Sequence, residues 1–60
     1  MIKIYIFDLK LNPVGEYHSE HVPREGETII YGDKQIIVET VTWEDVNSEP
    51  TVQIRGEVDW

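Results

Sequence analysis

The side chains with the richest coordination chemistry in this sequence are His18, Glu20 and His21. Imidazole and carboxylate together are a donor set that suits zinc or nickel. Their spacing works against a metal site. In a strand, residues two apart share a face and residues three apart do not, so only His18 and Glu20 converge, and two ligands do not close a coordination sphere. The pattern reads as two partly exposed histidines on an edge strand, with no metal and no other cofactor. Carboxylates are plentiful, among them Glu16, Glu20, Glu25, Glu27, Glu39, Glu57 and Asp59. General acid–base catalysis needs two carboxyl groups held in different environments within a cleft. A 60-residue chain filled by its own side chains leaves little room for one. There is no cysteine, and Ser19 has His18 and Glu20 on the opposite strand face. Gly15, Gly26, Gly32 and Gly56 are isolated, and none opens a helix that would hold a phosphate. The expectation is that the chain is not an enzyme.

The aromatic residues carry more. Tyr5 and Phe7 stand on the parity opposite to Ile2, Ile4 and Ile6. If the isoleucines fill a core, the two rings lie outside it, where aromatic side chains anchor protein interfaces. Tyr17, on the neighbouring strand, is expected to extend that patch, and Glu44, Asp45 and Glu49 to form an acidic rim in a polar loop from Glu44 to Pro50. Trp43 and Trp60 are each in phase with their strand's apolar set and are expected inside.

These side chains must be positioned by strands. Residues 51–60 place Val52, Ile54, Val58 and Trp60 against Gln53, Arg55, Glu57 and Asp59 in strict alternation, the period of a half-buried strand. Four more runs read alike: Ile2 to Asp8; Glu16 to about Val22, polar enough for an edge; Glu27 to Tyr31; and a fourth from Gln35. The breaks fall at residues 11–15 around Asn12-Pro13 and Gly15, at Pro23-Arg24-Glu25-Gly26, and at Gly32-Asp33-Lys34. In the fourth run Ile36 and Val38 have one parity and Val41 and Trp43 the other. One extra residue near Glu39-Thr40, a β-bulge, returns all four to one side and bends the strand. With no amphipathic helix and short connections, the chain reads as all-β: a five-stranded antiparallel meander curled into a small barrel or half-barrel, one domain over residues 1–60.

Twelve acidic and five basic residues leave a net charge of −7. Lys3, Lys10, Arg24, Lys34 and Arg55 are scattered, which argues against direct binding of nucleic acid or of an anionic membrane surface. The acidic surface serves solubility or steers a basic partner surface. No run approaches a membrane-spanning length, and the alternating N-terminal run, interrupted by Asp8, reads as a strand and not as a signal peptide. A soluble cytoplasmic protein is expected. A core this small is marginal alone, so the expected oligomeric state is a homodimer.

Residues 22–43 can be written V-P-R-x-G-E-x-I, a glycine turn, then I-x-V-x-x-V-x-W, carried by Pro23, Arg24, Gly26, Glu27, Ile36, Val38, Val41 and Trp43. The stretch resembles small bacterial and phage proteins of SH3-like barrel type, in which such a turn leads into a hairpin with a bulged second strand. The resemblance covers about a third of the chain. It implies the SH3-like architecture and a genomic setting in which some proteins of this size inhibit host enzymes or defence systems, and it transfers no site residue. The leading functional expectation is a non-catalytic module that binds a larger protein, such as an inhibitor of a host protein. The alternatives are an oligomeric nucleotide sponge using Arg24 and Arg55, an acidic mimic of nucleic acid, and a structural part of an assembly.

Overall fold

The computed structural model describes residues 1–46 and 49–59. Five strands follow one another: β1 (Ile2–Phe7), β2 (Pro13–Ser19), β3 (Thr28–Tyr31), β4 (Lys34–Val46) and β5 (Glu49–Asp59). They form one sheet in the order β2-β1-β5-β4-β3. The β1–β2, β3–β4 and β4–β5 ladders are antiparallel, as a meander requires. The β1–β5 ladder is parallel, Lys3 to Phe7 lying beside Thr51 to Arg55. The sheet is therefore mixed and not purely antiparallel. The reason is parity: when five alternately directed strands curl round, the first and last meet pointing the same way. The result is a small all-β half-barrel, compatible with an SH3-like fold.

The fully buried aliphatic side chains among the described residues are Ile4 and Ile6 from β1, Ile36 and Val38 from β4, and Val52 and Ile54 from β5. Each central strand contributes a pair two residues apart, as the period of a strand dictates. Ile2, Val14, Tyr17, Val22, Ile29, Tyr31, Val41 and Val58 pack around them. This inner face is the one expected from alternation in β1 and β5.

The bulge in β4 falls where the pattern places it. Val38 pairs with Gly56 and Thr40 with Arg55, so Glu39 is the extra residue. Beyond it Val41 lies opposite Ile54 and Trp43 opposite Val52, on the same face as Ile36 and Val38. The bulge brings the Ile37 carbonyl so close to Gly56 that a β-carbon there would overlap it. A second irregularity, in β2, leaves Val14 as the extra residue between the Ile6–Gly15 and Phe7–Pro13 pairs.

Two connections differ from expectation. The first reversal is built on Asp8 and not on Asn12-Pro13: its carboxylate accepts the N–H groups of Lys10 at 2.9 Å and Asn12 at 2.8 Å, and Leu11 takes a left-handed φ of 67°. Pro13 and Gly15 already belong to β2, and Pro13 is tolerated because β2 is an edge. The second difference is at residues 44–46 and 49–50. These parts of the expected polar loop continue the β4–β5 ladder, with Glu44 opposite Thr51, Asp45 opposite Pro50 and Val46 opposite Glu49. The other two turns stand as read. Arg24 to Glu27 is a type II turn, with a 3.0 Å hydrogen bond from the Glu27 N–H to the Arg24 carbonyl and a φ of 92° at Gly26. Tyr31 to Lys34 closes β3 on β4 through Gly32 at φ 63°.

Candidate functional site

Trp43 is the largest departure from the sequence reading. It points to the inner side, as its register with Val52 requires, yet 59% of its surface is exposed. Parity aims a side chain; burial needs something opposite. Past the bulge, Val52 and Ile54 of β5 are buried, but Trp43 on β4 faces the loop after β2. Between loop and strand lies an open cleft of about 550 Å³. Ile2, Val22, Pro23, Val41 and Trp43 supply its apolar lining, and Glu20, His21, Arg24 and Glu25 its polar edge. Trp60, the other residue expected inside, lies outside the described residues.

The loop wall is held by its own hydrogen bonds. The Glu27 carboxylate accepts the Arg24 N–H at 2.6 Å, reciprocating the turn bond in the other direction. Gly26 donates to the Val38 carbonyl and Val38 to the Glu27 carbonyl, each at 2.8 Å, which ties the turn to β4. Pro23 is buried beneath. The P-R-x-G-E stretch thus forms a self-capped turn whose apolar side faces Trp43. The His21 Nε2 stands 3.9 Å from the Glu27 carboxylate in the same loop.

The other residues singled out by sequence are distributed as follows. Tyr5 and Phe7 lie on the outer face, half-buried, in register with Gln53 and Arg55. The Lys3 ammonium sits 5.1 Å from the centre of the Tyr5 ring and 3.3 Å from the Glu16 carboxylate. Hydrogen bonding to Tyr5 first, and then to Glu16, holds the Lys3 pKa above its ordinary value. Tyr17 pairs with Ile4 and therefore lies on the inner side. The structure does not bring Tyr17 into one patch with Tyr5 and Phe7. Burial pushes the Tyr17 phenol pKa up. Glu44 and Glu49 are exposed near the end of the β4–β5 hairpin. The side chain of Asp45 is outside the described part, although its backbone pairs with Pro50.

Arg24 and Arg55 are not brought together. Arg24 edges the Trp43 cleft, whereas Arg55 is on the outer face beside Phe7. Arg55 donates to the Glu39 carboxylate at 3.1 Å and to the Thr40 hydroxyl at 3.4 Å, so it pins the bulged residue. His18 is exposed on β2 opposite Lys3, and His21 is in the following loop. Among the described residues, no three His, Asp or Glu side chains gather as a metal would need. No helix among them is long and apolar enough to cross a membrane.

Tyr31, which the sequence places only at the end of the third run, bridges the two edges of the sheet. Its ring lies over Gly15, where a β-carbon would come within 2.5 Å of it. Its hydroxyl donates to the Glu16 carbonyl at 3.3 Å, and its ring centre is 6.3 Å from that of Tyr17. The signal available in the sequence was Gly15 itself, a glycine inside a strand, which marks a close approach. No family model, curated protein or solved structure matched the chain.

Proposed function

We propose that this chain is a non-catalytic protein-binding module that takes an apolar anchor of a larger partner into the cleft beside Trp43. The observation that carries the reading is the exposed indole over an apolar floor with a charged edge. Tryptophan is among the residues most enriched at interface hot spots, and such residues sit in pockets ringed by polar groups that exclude water. Glu44 and Glu49 are exposed on the same hairpin, and the net charge of −7 favours a basic partner surface. Tyr5 and Phe7 give a second, weaker candidate surface, because Lys3 already lies over Tyr5.

The V-P-R-x-G-E turn resembles that of small SH3-like proteins of bacteria and phages, and it forms a wall of this cleft. That supports the more specific reading of an inhibitor encoded by a phage or mobile element, acting on a host protein inside the cell. The test is affinity capture with the wild-type chain, followed by titration of the purified pair. Trp43→Ala should weaken binding by at least about 2 kcal/mol, roughly thirtyfold in Kd, with an unchanged circular dichroism spectrum. Unchanged affinity in Trp43→Ala removes the proposal. A loss confined to Tyr5→Ala or Phe7→Ala moves the interface to the outer face.

A further inference from the structure

The sheet has an unclosed seam. β2 and β3 are its two edges, and the described residues show no ladder between them. What spans the gap is the side chain of Tyr31, reaching from β3 to the Glu16 carbonyl of β2. Paired strands stand about 4.8 Å apart, so strands bridged by a whole tyrosine side chain are separated by more than one strand spacing. Beside this bridge an open slot of about 450 Å³ remains, lined by Tyr17, Ser19, His21, Pro23, Ile29 and Ile30 among others.

The edge of β3 is ready for pairing. In an antiparallel ladder, alternate residues turn both backbone groups towards the partner and the residues between turn theirs away. The Glu27 carbonyl accepts from Val38, which assigns Glu27, Ile29 and Tyr31 to the β4 side. Thr28 and Ile30 therefore direct N–H and C=O to the seam. Natural edges are guarded by lysine, proline or a bulge. β3 (Thr-Ile-Ile-Tyr) has none of these, its four-residue length being its only protection, and its Ile30 is 71% exposed.

We infer that the seam takes an extended, positively charged segment of another protein, which pairs with Thr28 and Ile30 as an added strand beside β3. A main chain is the chemistry that matches alternating donors and acceptors along an edge. Charge selects the kind of segment. Neither β2 nor β3 contains Lys or Arg; Glu16, which pairs with Lys3, and Glu20, Glu27 and Asp33 lie on or next to them, as does Lys34 opposite Tyr31, and the balance is acidic. A second copy of this chain would bring its own charge of −7 to the same place, so a cationic partner is favoured over self-pairing. This inference rests on the reading of the chain as a protein-binding module; the slot shares His21 and Pro23 with the Trp43 cleft, but Thr28 and Ile30, which would pair with the segment, lie outside that cleft.

The experiment uses the full chain, labelled with nitrogen-15, and an end-blocked peptide of alternating Lys and Val as probe. The expected result is amide shift changes and slowed exchange at Thr28 and Ile30, weakening severalfold when salt rises from about 0.05 to about 0.3 M. A peptide N-methylated at every residue should lose the effect, because no ladder donor remains on either edge. Ile30→Lys should weaken peptide binding, and by more than Ile37→Lys, which adds the same charge on the neighbouring β4. Equal binding of the N-methylated peptide means adsorption by charge alone and overturns the proposal. So does the absence of change at β3, or shifts confined to the Trp43 cleft or the Tyr5 face. Shifts at Thr28 and Ile30 that follow protein concentration without peptide assign the seam to a second copy and overturn it likewise. Failure here leaves the Trp43 cleft standing, since that reading is tested by Trp43→Ala against its own partner.

Discussion

Gly56 and Asp8 each do work that their residue type alone explains only in part. Gly56 sits beneath the Ile37 carbonyl at the bulge, and Ile36 also crowds it. A methyl group there must displace backbone, which does not yield as the end of a side chain does. Gly56→Ala is expected to destabilise by about 1–3 kcal/mol, the range of overpacking, measured as a lower urea midpoint with an unchanged slope. Asp8 is held ionised, its pKa lowered chiefly by the backbone hydrogen bond from Asn12, with Lys10 adding to it. A depressed folded pKa means that the stabilisation is present above the unfolded value and is lost as pH falls through the folded one. The stability difference between wild type and Asp8→Ala should therefore be full at pH 7 and shrink below about pH 4. A difference that stays constant down to pH 2 would show that the carboxylate charge is not what holds the turn.

At the scale of elements, β4 is the strand whose design is most testable. Ile36, Val38, Val41 and Trp43 share one inner face because Glu39 is inserted between two in-phase halves of its 13 residues. Deleting Glu39 forces a choice: either Ile36 and Val38 or Val41 and Trp43 turn outward. Since Ile36 and Val38 are fully buried, the deletion should abolish cooperative unfolding or lower stability by several kcal/mol. Glu39→Ala keeps the register and removes only the partly exposed contact with Arg55. Its expected effect is within about 1 kcal/mol. Similar losses for the two variants would mean that the ion pair, and not the inserted residue, matters. The bulge was legible in advance because a parity switch inside one apolar run has a local cause. The extension of β4 and β5 through residues 44–46 and 49–50 was not. Acidic residues and proline are depleted in strands by propensity, and only the ladder between the two strands overrides that.

At the scale of the molecule, a 60-residue chain with a net charge of −7 repels itself. The folded form concentrates that charge within extents of 33 × 21 × 18 Å. Moderate salt should therefore raise the melting temperature, most steeply below about 0.15 M, where screening changes fastest. A melting temperature that falls over that range would indicate that the Lys3–Glu16 and Arg55–Glu39 pairs outweigh the general repulsion. The parallel β1–β5 ladder also belongs to this scale. It joins strands far apart in the sequence, and such long-range pairing slows folding.

Alternation along 2–7 and 51–59 was enough to identify strands, to choose their inner faces and to pick four of the six buried aliphatics, and the parity switch in β4 located the bulge. These are properties of a chain over a few residues, where a period of two admits one reading. Which strands lie side by side, whether Trp43 meets anything across from it, and that Tyr31 bridges an open seam to Gly15 and Glu16 were decided by residues far apart in sequence. A strand knows which way each side chain points, but only the closed or unclosed shape of the whole sheet determines whether that direction ends in protein or in water.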